Sequence, residues 1–168
     1  MKKAKRKVIV PILWIFFAVI ATGIACLSFQ NGEEAKKLGE QFILYLAQNI
    51  KQKQNVSVSE LSAITYDIRQ GGRALAFLVL GIVGTAAVHL SCPRWNWGVK
   101  TVITAVILLA IAVFTERLKI YIPSRHYSYE EMMISITAVA AGFLAVSLIT
   151  LTVSALKGFF RLMAASRI

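Results

Sequence analysis

Four long apolar runs set the pattern of this chain, and the stretches between and beyond them hold nearly all of its charge. The runs cover about residues 8–28, 73–91, 99–116 and 131–156. A helix that spans a bilayer needs about 20 predominantly apolar residues, so each run predicts a transmembrane helix, the fourth long enough to cross with tilt. A helix of a soluble domain would interrupt its apolar positions with polar ones at helical spacing. These runs are hardly interrupted. The first, behind Lys2, Lys3, Lys5, Arg6 and Lys7, opens like a secretory signal. It outlasts the usual apolar core of about 7–15 residues and reads as an uncleaved anchor. The expectation is all-α, one domain over residues 1–168, an integral membrane four-helix bundle.

The connecting segments carry their own periodicity. Leu38, Phe42, Tyr45, Leu46 and Ile50 recur at helical spacing between Glu34 and Ile50, which predicts an amphipathic helix in the first outer segment. Ser57-Val58-Ser59-Glu60 then reads as a capping box that starts a second amphipathic stretch, with Leu61, Ile64 and Ile68 leading toward Arg69. Pro93, Trp95 and Trp97 mark a tight turn between the second and third runs, and Tyr121, Tyr127 and Tyr129 suit the opposite interface. Small residues four apart, Gly81 with Thr85, Ala138 with Gly142 and Ala141 with Ala145, predict close helix packing.

Charge decides the orientation. The net charge of +11 raises nucleic acid as a partner, but the cations flank apolar spans and form no stripe on a soluble module. The amino terminus, the 92–98 turn with Lys100, and the carboxyl tail hold ten of the nineteen cations and none of the eight acids. By the positive-inside rule these segments are cytoplasmic, so both termini face in and segments 28–73 and 115–131 face out. Cys26 and Cys92 then fall near opposite faces, roughly 30 Å apart, too far for a disulfide.

No nucleotide loop, redox pair or metal-binding helix is visible, and no cofactor is expected. His89 and His126 fall near opposite faces and cannot share a metal. Chemistry concentrates at the outer ends of the second, third and fourth spans, where Arg69, Arg73, Glu116, Lys119, Arg125 and Glu131 gather. Glu116 and Lys119, three apart, share a helix face, and Pro123-Ser124 can turn Arg125 back over the bundle. Ionisable groups at span edges are expensive unless paired, so an interhelical network is expected. It reads either as an outward polar pocket or as interfacial charges that only set topology.

Three segments carry a resemblance to a family. Ser28-Phe29-Gln30-Asn31-Gly32-Glu33-Glu34 looks like a serine- and glutamine-rich segment after a first span. Ile68-Arg69-Gln70-Gly71-Gly72-Arg73-Ala74-Leu75-Ala76-Phe77 is similar to an Arg-Lys-x-x-His-Phe-x-Glu-Tyr pattern. Glu116-Arg117-Leu118-Lys119-Ile120-Tyr121-Ile122-Pro123-Ser124-Arg125 resembles Glu-x-x-Gln-x-Phe-Val-Pro-Gly-Arg, the most specific of the three. In this order they resemble the VanZ-like family, named for a protein associated with resistance to the glycopeptide antibiotic teicoplanin. Departures include Arg73 at the usual histidine, Ala76 at the glutamate, Phe77 at the tyrosine and Lys119 at the glutamine, while Glu116, Pro123, Arg125 and a carboxylate at Glu131 match. Exchanging histidine for an always-charged arginine removes the best general acid–base group.

The resemblance implies a bacterial cytoplasmic membrane protein, multi-pass and linked to glycopeptide tolerance, and the departures from the pattern point to a non-enzymatic one. Its outer cluster would contact membrane lipid headgroups, a lipid-linked wall precursor or a lipoglycopeptide, with no nucleic acid partner. One rival is an intramembrane lipid-modifying enzyme using Glu116 and Glu131. Another is a scaffold subunit that packs against a larger membrane complex through its small-residue faces.

Overall fold

The computed structural model describes residues 2–29, 58–121 and 128–165. Four α-helices follow in chain order: α1 (Lys2–Phe29), α2 (Val58–Ser91), α3 (Trp97–Arg117) and α4 (Tyr129–Ala165), with a 3₁₀ turn at Leu118–Tyr121 after α3. No strand occurs among the described residues. The amphipathic helix expected over Glu34–Ile50, the Ser57 cap, the Pro123-Ser124 turn and His126 all lie outside them.

Each helix contains a stretch long and apolar enough to cross a membrane: Arg6–Cys26, Tyr66–Ser91, Trp97–Tyr121 and Tyr129–Phe160. The helices themselves run further than the apolar runs predict. Helix α2 passes without a break from Val58 through Gly71 and Gly72 to Ser91, and α4 continues past residue 156 to Ala165. Glycine weakens a helix interior by about 1 kcal/mol but does not end it, and neither stretch contains the proline that would. At 1.5 Å per residue α4 is about 55 Å long, well beyond the ~30 Å of a hydrocarbon core. Hydropathy reports the apolar length of a helix, whereas helix length follows from the backbone.

Helices consecutive in the chain are antiparallel, so α2 and α4, which pack against each other, run parallel. At one end of the bundle, Arg6 of α1 donates from Nε to Leu90 O at 2.7 Å and from Nη2 to Ser91 O at 3.1 Å. A cation there satisfies carbonyls that have no partner within α2 and complements the negative end of its dipole. Trp14 Nε1 adds a bond to Ser91 Oγ, and Trp97 of α3 reaches Thr150 Oγ1 of α4 at 3.3 Å. The opposite end carries the last turn of α3 and the first of α4. Cys26 and Cys92 are unbridged, one near the end of α1 and the other just past α2.

The interior is narrow. Ile24, Phe77, Leu80, Leu108, Ala112 and Val139 fill it, while large apolar side chains such as Phe16, Leu75, Val102, Val106 and Leu148 stand exposed. An outside of this kind suits hydrocarbon, where helices associate by close packing instead of by expulsion of water. Helices α2 and α4 meet backbone to backbone at two of the small residues. A Cβ added at Gly81 would lie 2.5 Å from Val139 O, and one at Gly142 would run into Leu78 O. Of the small pairs on α4, Ala138 and Gly142 are therefore the ones that face α2, and Ala141 and Ala145 turn outward.

Candidate functional site

The end of the bundle opposite Arg6 is closed by charge. Glu116 lies in the last turn of α3, and the tighter 3₁₀ winding that follows brings residues three apart into line, so Lys119 sits over Glu116. Glu131 lies in the first turn of α4, where the helix dipole favours a negative charge. Its N–H points to Ser128 Oγ at 3.5 Å, and the Ser135 hydroxyl one turn on donates to its carbonyl at 3.0 Å. Arg73 projects from α2, with Gln70 three residues before it on the same face.

These side chains converge on one carboxylate. Glu131 Oε2 accepts from Arg73 Nη1 at 2.5 Å and from Lys119 Nζ at 2.9 Å, and its Oε1 accepts from Gln70 Nε2 at 3.3 Å. Lys119 Nζ also donates to Glu116 Oε2 at 2.7 Å. Arg73 Nη2 approaches Glu116 Oε1 to 3.4 Å as an ion pair, and among the described residues that oxygen accepts no hydrogen bond. Among the described residues two cations meet two carboxylates, a balance of charge within that set. The network is also graded in depth: the Glu116 and Lys119 side chains are each 1% exposed, Arg73 is 16% and Glu131 20%. Charges this deep are held only by partners, because removing each from water costs several kcal/mol.

Of the six candidates read from the sequence, Arg73, Glu116, Lys119 and Glu131 come together. Arg69 is exposed and joins no contact of the network among the described residues, and Arg125 lies outside them. Gln70 and Ser135 are members that charge alone does not reveal. Gln70 is legible only through its spacing from Arg73, and Ser135 through its place one turn after Glu131.

The nearby hydroxyls are committed to helix carbonyls: Thr115 to Ile111 and Ala112, Ser135 to Glu131. No group of three or more metal-ligating side chains occurs among the described residues, whose two deepest acids are turned toward cations. What the arrangement does chemically is join three helices through matched charge while leaving the Arg73–Glu131 edge partly open. His89 lies in the last turn of α2, at the far end beside the Arg6 contacts, as its place before the turn predicts. No match was found in comparisons of the chain with protein-family models, with curated proteins or with solved structures.

Proposed function

We propose that this chain is a non-enzymatic, VanZ-like protein of the bacterial cytoplasmic membrane whose charged cluster recognises the polar head of an amphiphile at the outer face. The head would belong to a lipid, a lipid-linked wall precursor or a lipophilic glycopeptide. The observation that supports this most is the partly open edge. Arg73 and Glu131 remain 16% and 20% exposed while Glu116 and Lys119 beneath them are sealed. A sealed base holding an open rim is the arrangement a recognition site needs, since the buried pair fixes the geometry of the exposed one. Orientation rests on the cation count: the end marked by Arg6 is the cytoplasmic one. Reporter fusions at both termini are expected to read cytoplasmic, and a periplasmic or external reading at either would reverse the assignment.

The functional test is Arg73→Lys in a host challenged with teicoplanin. Lysine keeps the charge but not the fork that reaches Glu131 and Glu116 together. Loss of tolerance at unchanged membrane abundance is the expected result. Full tolerance at unchanged abundance would sink the recognition reading. A second reading is favoured by the match of two cations to two carboxylates among the described residues, namely that the cluster is a structural clasp. Under it, abundance and tolerance fall together.

A further inference from the structure

Beside the charged network, α2 and α4 enclose a feature that it does not use. On the network's side of the Gly81–Gly142 contact an open apolar groove of about 450 Å³ lies between the two helices. Gly71, Ala74, Leu75 and Leu78 form its α2 wall. Ile134, Thr137 and Ala138 form the other, with the Thr137 hydroxyl already donated to Met133 O at 2.8 Å. A Cβ at Gly71 would meet nothing within 4 Å, so the wall is open there. Every lining residue falls in the stretches Tyr66–Ser91 and Tyr129–Phe160, so in a bilayer the groove faces hydrocarbon.

The rim is acidic, and helical phase shows why. Asp67 stands four residues before Gly71 and seven before Ala74, on the same stripe of α2. Glu130 stands four before Ile134 and seven before Thr137, on the matching stripe of α4. Each wall therefore ends in a carboxylate about 6 Å, four residues, above its first lining residue. Both carboxylates are on exposed residues. Among the described residues, the cations of α2 and of the network point elsewhere. Arg73 and Lys119 are turned into Glu116 and Glu131, and Arg69 lies roughly 200° round the helix from Asp67.

We propose that the groove holds one hydrocarbon chain of a membrane lipid whose headgroup carries a primary ammonium, with that ammonium between Asp67 and Glu130. Hydrocarbon meets an apolar wall, and a cation with three N–H donors meets two carboxylates. The inference rests on the membrane reading above and names a ligand class that the cluster alone does not specify.

The test uses the full chain in nanodiscs of phosphatidylethanolamine and phosphatidylglycerol in equal amounts with matched acyl chains, followed by native mass spectrometry of retained lipid. The wild type is expected to retain the ethanolamine lipid in preference by about tenfold, as two solvent-exposed ammonium–carboxylate pairs would give. Asp67→Asn with Glu130→Gln should keep a lipid and lose the preference. Gly71→Leu should lose retained lipid of both kinds, while Gly72→Leu, the same change one residue round the helix and outside the groove, should not. Equal or greater retention of phosphatidylglycerol by the wild type overturns the ammonium assignment. Equal retention by the two leucine variants overturns the groove. Failure of the cluster reading would appear instead in antibiotic tolerance, which this measurement does not use.

Discussion

Lys119→Ala is expected to lower the stability of the folded bundle by about 3–5 kcal/mol, the usual consequence of removing one partner from a buried charge pair. Lys119 is 1% exposed and bonds both carboxylates, Glu116 at 2.7 Å and Glu131 at 2.9 Å. Without it Glu116 keeps no hydrogen bond among the described residues, only Arg73 at 3.4 Å, and stays shut away from water. Joint replacement, Lys119→Met with Glu116→Leu, should recover much of the loss, because an apolar pair of similar volume carries no stranded charge. Thermal unfolding of the full chain in detergent reads both. A wild-type midpoint for Lys119→Ala would show that water reaches the cluster and that the burial described above is not maintained.

The second large effect is steric. Gly142→Leu should prevent α2 and α4 from closing, because the atoms a side chain would meet there are Leu78 O and Ile82 N. Those are backbone atoms and cannot rotate aside as a flexible side chain would. The helices must separate, and the packing of Phe77, Ala138 and Val139 goes with them. Overpacking costs about 1–3 kcal/mol where side chains can adjust and more where they cannot. Ala141→Leu, one residue back on the exposed face of the same helix, should melt like the wild type. Equal melting of the two variants would mean that the helices do not touch at Gly142.

What could be read from the residues follows from what each kind of residue reports. Apolar runs locate the crossing segments, because lipid demands them, and all four were legible. The ends of α2 and α4 were not, since a polar or glycine-bearing turn that leaves the bilayer is still helix. Arg73, Glu116, Lys119 and Glu131 were legible because charges at the edges of apolar spans must find partners. Arg69 shares their composition but not their surroundings, a matter of where α2 faces its neighbours that no composition shows. Gln70 carries no charge to draw notice. The choice between Ala138 with Gly142 and Ala141 with Ala145 is likewise a question of helix rotation, and the two pairs look alike in a sequence.

The glycine contact has a mechanical consequence. Gly81 and Gly142 act as a pin between two rods. On α2 the clasp at Arg73 lies about 12 Å to one side of the pin and Ser91, where Arg6 and Trp14 attach, about 15 Å to the other. On α4 Glu131 and Thr150 lie about 16 Å and about 12 Å from it. The arms are nearly balanced. Rods pivoting about such a pin transfer a displacement at the clasp to the far end at close to its full size, where it falls on the contacts of Arg6 and Trp97.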